Sequence, residues 1–194
     1  MKKQLLLVGV LSAFTLPALA DNFYVFGDVG QGKMEIDATN NFTLSKTSTS
    51  FSIGAGYDFN KFVAVEVAYR DLGEVKDKGV YFDGVDDYTY RSKLSATALQ
   101  ASVLGKLPIS DDFNLYGRVG LASIDADYRG TASYADGNNP APDTSSESKT
   151  RALIGVGASY SITPQIALRA EYNQYAKWDD TKLSALTVGA TYSF

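Results

Sequence analysis

Apolar and polar residues alternate with a period of two in eight stretches of this chain. That is the period of a strand, whose successive side chains point to opposite faces. The clearest stretch is the last, Leu183–Phe194, where Leu186, Val188, Ala190, Tyr192 and Phe194 alternate with Ala185, Thr187, Gly189, Thr191 and Ser193. The same pattern runs through Phe23–Gly30, Ser50–Phe59, Phe62–Arg70, Lys93–Gly105, Phe113–Ile124, Arg151–Tyr160 and Gln165–Tyr175. Each stretch has one apolar face and one face of small, polar or charged residues. In Phe62–Arg70, for example, Val63, Val65, Val67 and Tyr69 oppose Ala64, Glu66, Ala68 and Arg70.

The connections alternate too. Asp58–Lys61, Gly105–Asp112 and Ser161–Pro164 are short, whereas Met34–Thr49, Asp71–Ser92, Asp125–Thr150 and Ala176–Lys182 are longer polar segments expected to be loops. Short turns at one end and long loops at the other are the pattern of a transmembrane barrel. The fold class expected is therefore all-β: an eight-stranded antiparallel up-and-down transmembrane β-barrel. Leu183–Phe194 must pair back with Phe23–Gly30, because an open sheet edge in lipid leaves backbone groups without partners. Proline occupies no position that would interrupt a ladder: Pro108 and Pro164 lie in turns, Pro140 and Pro142 in a loop. Tyr57, Phe59, Phe62, Phe113, Tyr160 and Tyr192, with Phe23 and Phe194, gather at the short-turn ends. They predict a periplasmic aromatic ring at the membrane interface, and Tyr69 and Tyr172 are placed to begin the opposite one.

The first twenty residues stand apart. Lys2 and Lys3 precede a mostly apolar run from Gln4 to Leu16, and Pro17–Ala20 supplies small residues in A-x-A spacing. Residues 1–20 read as a cleaved secretory signal, its apolar run too short to span a bilayer as a helix, which leaves 21–194 as one barrel domain. Removing Lys2 and Lys3 from a net charge of −4 leaves −6, so there is no basic footprint for nucleic acid. The 194-residue chain contains no cysteine and no histidine. It therefore has no disulfide, no thiolate site, and neither the commonest general base nor the commonest transition-metal ligand.

The polar face of a barrel points inward, and eight strands leave an interior that side chains fill. Glu66, Arg70, Arg118, Arg169, Glu171 and Asp28 fall on that face, with Gly54, Gly56, Gly120, Gly155, Gly157 and Gly189 leaving room. An unpaired charge in a narrow interior costs several kcal/mol, so a lumenal ion-pair network is expected. It sets Glu66 and Glu171 against Arg118 and Arg169. The competing reading solvates Glu66 and Arg70 near an open end.

In order along the chain, four motifs resemble the eight-stranded outer-membrane barrels of the OmpA transmembrane-domain type and the related small surface-antigen barrels. Phe62–Gly73 is similar to the family's third strand, Leu115–Leu121 to its fifth and Ala167–Tyr172 to its seventh. Thr191–Phe194 resembles the terminal aromatic read by the barrel-assembly machinery, which makes Phe194 the expected assembly signal. The resemblance implies a porin-like, OmpA-like protein of a Gram-negative cell outer membrane. Its lumenal acid–base switch maps onto Glu66, Arg118 and Glu171. Two-domain members continue into a peptidoglycan-binding domain; this chain ends with the barrel, so no cell-wall tether is expected.

Three functions compete. The first is a structural or surface-interaction protein, adhesin-like or serving envelope integrity, that works through four external loops. Val80–Tyr90 mixes aromatics and acids; it reads either as a contact surface or as a hairpin extending two strands, with tyrosines as cross-strand pairs. Ala135–Ser146 has a disorder-like composition. The second is a small-solute or ion channel gated by the lumenal Glu/Arg network. The third, an enzyme, is disfavoured, because outer-membrane barrel hydrolases and acyltransferases resemble one another in using histidine. Asp83, Asp86 and Asp87 lack the spacing of a calcium loop, so no metal or cofactor is expected. The partners expected are outer-membrane lipid and lipopolysaccharide, the barrel-assembly machinery and an extracellular ligand at the loops. The chain is expected to be a monomer.

Overall fold

The computed structural model describes residues 22–38, 42–82, 87–134, 141–178 and 181–194. Eight strands follow one another: β1 (Phe23–Ala38), β2 (Phe42–Asn60), β3 (Val63–Phe82), β4 (Asp87–Pro108), β5 (Phe113–Tyr134), β6 (Asp143–Ser161), β7 (Ile166–Trp178) and β8 (Thr181–Ser193). Each pairs antiparallel with its neighbours in sequence, and β1 pairs with β8 to close the ring. The seam runs from Tyr24↔Ser193 through Asp28↔Gly189 to Ile36↔Thr181. Phe194 adds to it by donating its N–H to the Phe23 carbonyl at 3.2 Å. The alternating face that predicts strands also predicts their direction. Val29, Val67, Val119, Val156 and Val188 point out, while Asp28, Ala68, Arg118 and Thr187 point in.

The tight turns are held by side chains placed for the purpose. Asn60 Oδ1 accepts the N–H groups of Phe62 and Val63 at 2.8 and 3.0 Å, and Thr163 Oγ1 accepts that of Ile166 at 3.0 Å. At this end Phe23, Phe59, Phe62, Tyr160, Tyr192 and Phe194 are exposed, with Tyr57 and Phe113 half-buried. Tyr57 packs edge-on against Phe23 and Phe59, with centroids 4.8 and 5.2 Å apart.

The strands are longer than their amphipathic stretches. A tilted strand crosses the apolar layer in about 9–11 residues, yet β4 and β5 have 22 each. The segments expected to be long loops are largely strand. β1 and β2 stay paired to Ala38↔Phe42, and β3 and β4 to Phe82↔Asp87. Of Val80–Tyr90, expected either as a contact surface or as a hairpin, the described residues 80–82 and 87–90 pair as two hairpin arms, with Tyr81 in register with Tyr88. Asp143–Ser146, expected to be disordered, opens β6 with Asp143 facing Gly130. Outside the membrane both faces of a strand are wet, so the alternation that marks a strand in sequence disappears while the ladder continues. Residues 1–20, expected to be a secretory signal, lie outside the described residues, as do Asp83, Asp86 and residues 135–140.

The wall divides above the rim. Pairing between β2 and β3 stops at Phe51↔Asp71, and pairing between β6 and β7 stops at Leu153↔Tyr175. β3, β4, β5 and β6 then rise together as an open four-stranded sheet. A bulge at Asp71/Gly73 marks the division. Gly73 has φ +89°, in the left-handed region where glycine carries no Cβ penalty, and a Cβ there would overlap Ser48 and the Thr49 carbonyl. Asp71 Oδ1 accepts the Gly73 N–H at 2.7 Å, and Ser48 Oγ donates to the Leu72 carbonyl at 2.9 Å, so backbone groups released by the bulge are satisfied.

Val67 and Leu168 are 56% and 50% exposed on the outer wall, between the two ends of their strands. Val67→Arg should cost roughly 2–4 kcal/mol in a bilayer, and Leu168→Arg, in register with Tyr160 of the interfacial ring, should cost less, measured by denaturant unfolding of protein refolded into vesicles. A change near zero for Val67→Arg would place that residue away from the lipid.

Candidate functional site: a charged lumen

Six charged side chains converge inside the barrel: Asp28 from β1, Glu66 and Arg70 from β3, Arg118 from β5, and Arg169 and Glu171 from β7. All come from odd-numbered strands. The even-numbered strands between them offer mostly small inner residues: Ser52, Gly54 and Gly56 on β2, Ala98 and Ser102 on either side of the larger Gln100 on β4, Gly155 and Gly157 on β6, Gly189 on β8. Long side chains therefore reach across the lumen over low neighbours. Two of these glycines make room for rings, since a Cβ at Gly56 would overlap the Tyr24 ring and one at Gly157 the Tyr116 ring.

The network joins the four residues expected and two more. Arg169 is its hub: Nη1 donates to Glu66 Oε1 at 3.0 Å and Nη2 to Glu171 Oε2 at 2.7 Å, while Nε lies 3.3 Å from Asp28 Oδ1. Arg118 Nη2 bridges Glu66 Oε2 and Glu171 Oε2, the latter at 2.8 Å. Arg70 is held more loosely, 3.5 Å from Glu171 Oε1 and 3.9 Å from Asp28 Oδ2, and its Nε and Nη1 have no hydrogen-bond partner among the described residues. Neutral donors complete the carboxylates. Tyr24 OH donates to Glu66 Oε1 at 2.9 Å, Ser52 Oγ to Asp28 Oδ2 at 3.0 Å, and Asn173 Nδ2 to Glu171 Oε1. Three guanidiniums face three carboxylates, so the centre is formally neutral. Glu66 and Arg70 are only 2% and 0% exposed, which overturns the reading that solvates them at an open end.

Two apolar layers enclose this charge. Toward the short turns lie Tyr24, Phe26, Ala64, Ala68, Leu104 and Tyr116. The Arg169 guanidinium stacks over the Phe26 ring at 4.3 Å and lies 5.6 Å from that of Tyr116, a favourable cation–π placement. Toward the outside lie Leu72, Ala96, Ala98, Ala122, Ile124, Leu153, Tyr175, Leu183 and Ala185, with Met34 against them. Tyr175 OH reaches down to Gln100 Oε1 at 3.1 Å. Neither layer was foreseen. The signal was present, because Tyr24 and Phe26 share the inward phase of Asp28, but apolar residues on a lumenal face resemble noise until closure brings them together.

The sequence matches the family described as Outer membrane protein beta-barrel domain over residues 5–194. Outer membrane protein P5 of Haemophilus influenzae is 26% identical over 163 residues, covering 78% of this chain and 43% of that protein. The chain thus spans less than half the length of that relative. An uncharacterised protein of Haemophilus influenzae is 32% identical over 182 residues, 90% of each chain. The crystal structure of Neisserial surface protein A superposes with a TM-score of 0.55 at 21% identity, covering 89% of this chain and 97% of that one.

Breaking a buried pair by removing one partner costs about 3–5 kcal/mol, because the other charge is left stranded. Arg169→Ala should reach that range, and Arg70→Ala should fall clearly below it, since its contacts are longer. Equilibrium unfolding of the two variants checks the order; equal losses would remove Arg169 from the centre of the network.

Proposed function

The chain belongs to the outer membrane protein β-barrel domain family and resides in the bacterial outer membrane, and from that premise we propose that it is a closed, non-catalytic barrel that presents an extracellular sheet for surface interaction. The observation that carries this reading is the filled lumen. A neutral cluster of six charges sits between two apolar layers, and moving one guanidinium aside would strand carboxylates in a dry interior. Such a core suits a rigid pedestal better than a passage. The four-stranded extension of β3–β6 and the β1–β2 hairpin supply surface above it, built on continuous ladders rather than on free loops. The non-catalytic part of the proposal rests on the sequence, which offers neither histidine nor cysteine to activate a nucleophile.

Planar-bilayer recording tests the seal. Wild-type protein should show no sustained conductance, and Glu66→Ala or Arg118→Ala should open transient currents. A steady wild-type current would favour instead a narrow channel gated by the same network. For the surface role, a chain in which residues 76–92 are replaced by a short turn should still fold, as judged by the mobility difference between boiled and unboiled protein. Cells carrying it should adhere less to host-cell matrix; unchanged adherence counts against an adhesive role. The assembly reading is separate: Phe194→Ala should lower outer-membrane yield in cells more than it lowers the stability of refolded protein.

A further inference from the structure

The outward face of β3, β4 and β5 changes character twice above the membrane. On β4 the phase of lipid-facing Leu99 continues through Thr97 and Ser95 to Lys93 and Arg91, and on β5 that of Leu121 continues through Ser123, Asp125 and Asp127 to Arg129 and Thr131. The register sets Glu74 beside Ser95 and Asp127, then Lys76 beside Lys93 and Arg129, then Lys78 beside Arg91 and Thr131. An acidic band formed by Asp71, Asp125, Glu74 and Asp127 therefore lies nearer the lipid, and five cations lie in two adjoining rows beyond it. Like charges directly opposite each other on a sheet are destabilising. Glu74 relieves part of this by pairing with Lys76 and Lys93, whose hydrogen bonds hold its carboxyl down at about 2 and so ionised at neutral pH. Among the described residues no carboxylate pairs with Lys78, Arg91 or Arg129. These cations, with Lys76, Lys93 and the single acid Asp77, line an open groove of about 500 Å³.

We propose that this face docks the phosphorylated core sugars of lipopolysaccharide in the surrounding outer leaflet. Three features select that occupant. Lys78, Arg91 and Arg129 carry formal charge with no carboxylate partner among the described residues, which calls for an anion. They continue the phase of the lipid-facing residues, so they point sideways at the neighbours of the barrel in its own membrane. Their height fits a sugar layer. Lys93 is six residues beyond Leu99, about 20 Å along the strand at ~3.3 Å per residue. With a tilt of ~40° that is about 15 Å along the barrel axis. Phospholipid headgroups extend only about 5–8 Å beyond the apolar layer, where this wall is acidic. The inference names a partner for the surface role proposed above and rests on it only for the placement of the sheet outside the cell.

The test uses the full chain refolded in nanodiscs and three soluble probes: a delipidated phosphorylated core oligosaccharide, the same oligosaccharide after enzymatic dephosphorylation, and heparin. Binding to the phosphorylated core should fall at least tenfold in the triple variant Lys78→Gln, Arg91→Gln, Arg129→Gln, and should weaken as salt is raised. The control pair Lys33→Gln and Lys149→Gln, on other strands, should bind as wild type. Equal binding of the dephosphorylated sugar, an unaffected triple variant, or binding of heparin alone would overturn the assignment. The boiled-to-unboiled mobility shift of each variant separates lost binding from lost folding. Loss of adhesion with sugar binding intact would bear on the surface role and not on this site.

Discussion

A lipid bilayer offers no hydrogen-bond partner, and the rest of this structure follows from that fact. Every backbone N–H and C=O in the apolar layer must find a partner within the protein, so the sheet must close. Closure is the pairing of β1 with β8, which brings Asp28 against Gly189 and Tyr24 against Ser193. Once the ring is closed, the period of two gives each residue one of two solvents, lipid or lumen. Valines on one phase meet acyl chains. Charges on the other can be held only by one another.

That mutual dependence explains the composition of the lumen. A carboxylate moved from water into a dry interior loses several kcal/mol of solvation unless opposite charge and hydrogen bonds replace it. Asp28, Glu66 and Glu171 each have such replacements, in Arg169, Arg118 and Arg70 and in Ser52, Tyr24 and Asn173. Charged side chains from odd strands, set among mostly small inner residues on even strands, let six bulky charged groups meet without collision. The apolar layers on either side surround the charges with low-polarity neighbours, which strengthens each charge contact and raises the penalty for disturbing any of them.

Above the membrane the constraint relaxes, and the architecture changes with it. Water satisfies an exposed edge, so β3 and β6 can part from β2 and β7 without cost in unmade hydrogen bonds. Gly73 performs the parting: its positive φ lets the chain bulge where a side chain would strike the β2 backbone. The open sheet that results carries charge in bands rather than in alternation, since neither face is reserved for lipid.

The sequence alone determined the strand number, the direction of each face, the location of the tight turns and the four principal lumenal charges. A two-residue period in lipid is an unambiguous instruction, because one phase must be apolar over the whole crossing. It left open how far each strand runs, since the period vanishes where both faces are wet, as in Asp71–Ser92 and Asp125–Thr150. Only the tertiary structure decided that Asp28 and Arg70 join Glu66, Arg118, Arg169 and Glu171, that Tyr24 and Asn173 complete them, and that Phe26 and Leu153 belong to apolar layers that flank them. Those contacts join strands as far apart in sequence as β1 and β7. Which inner residues share a level depends on the stagger of the closed ring, a quantity that no single strand carries.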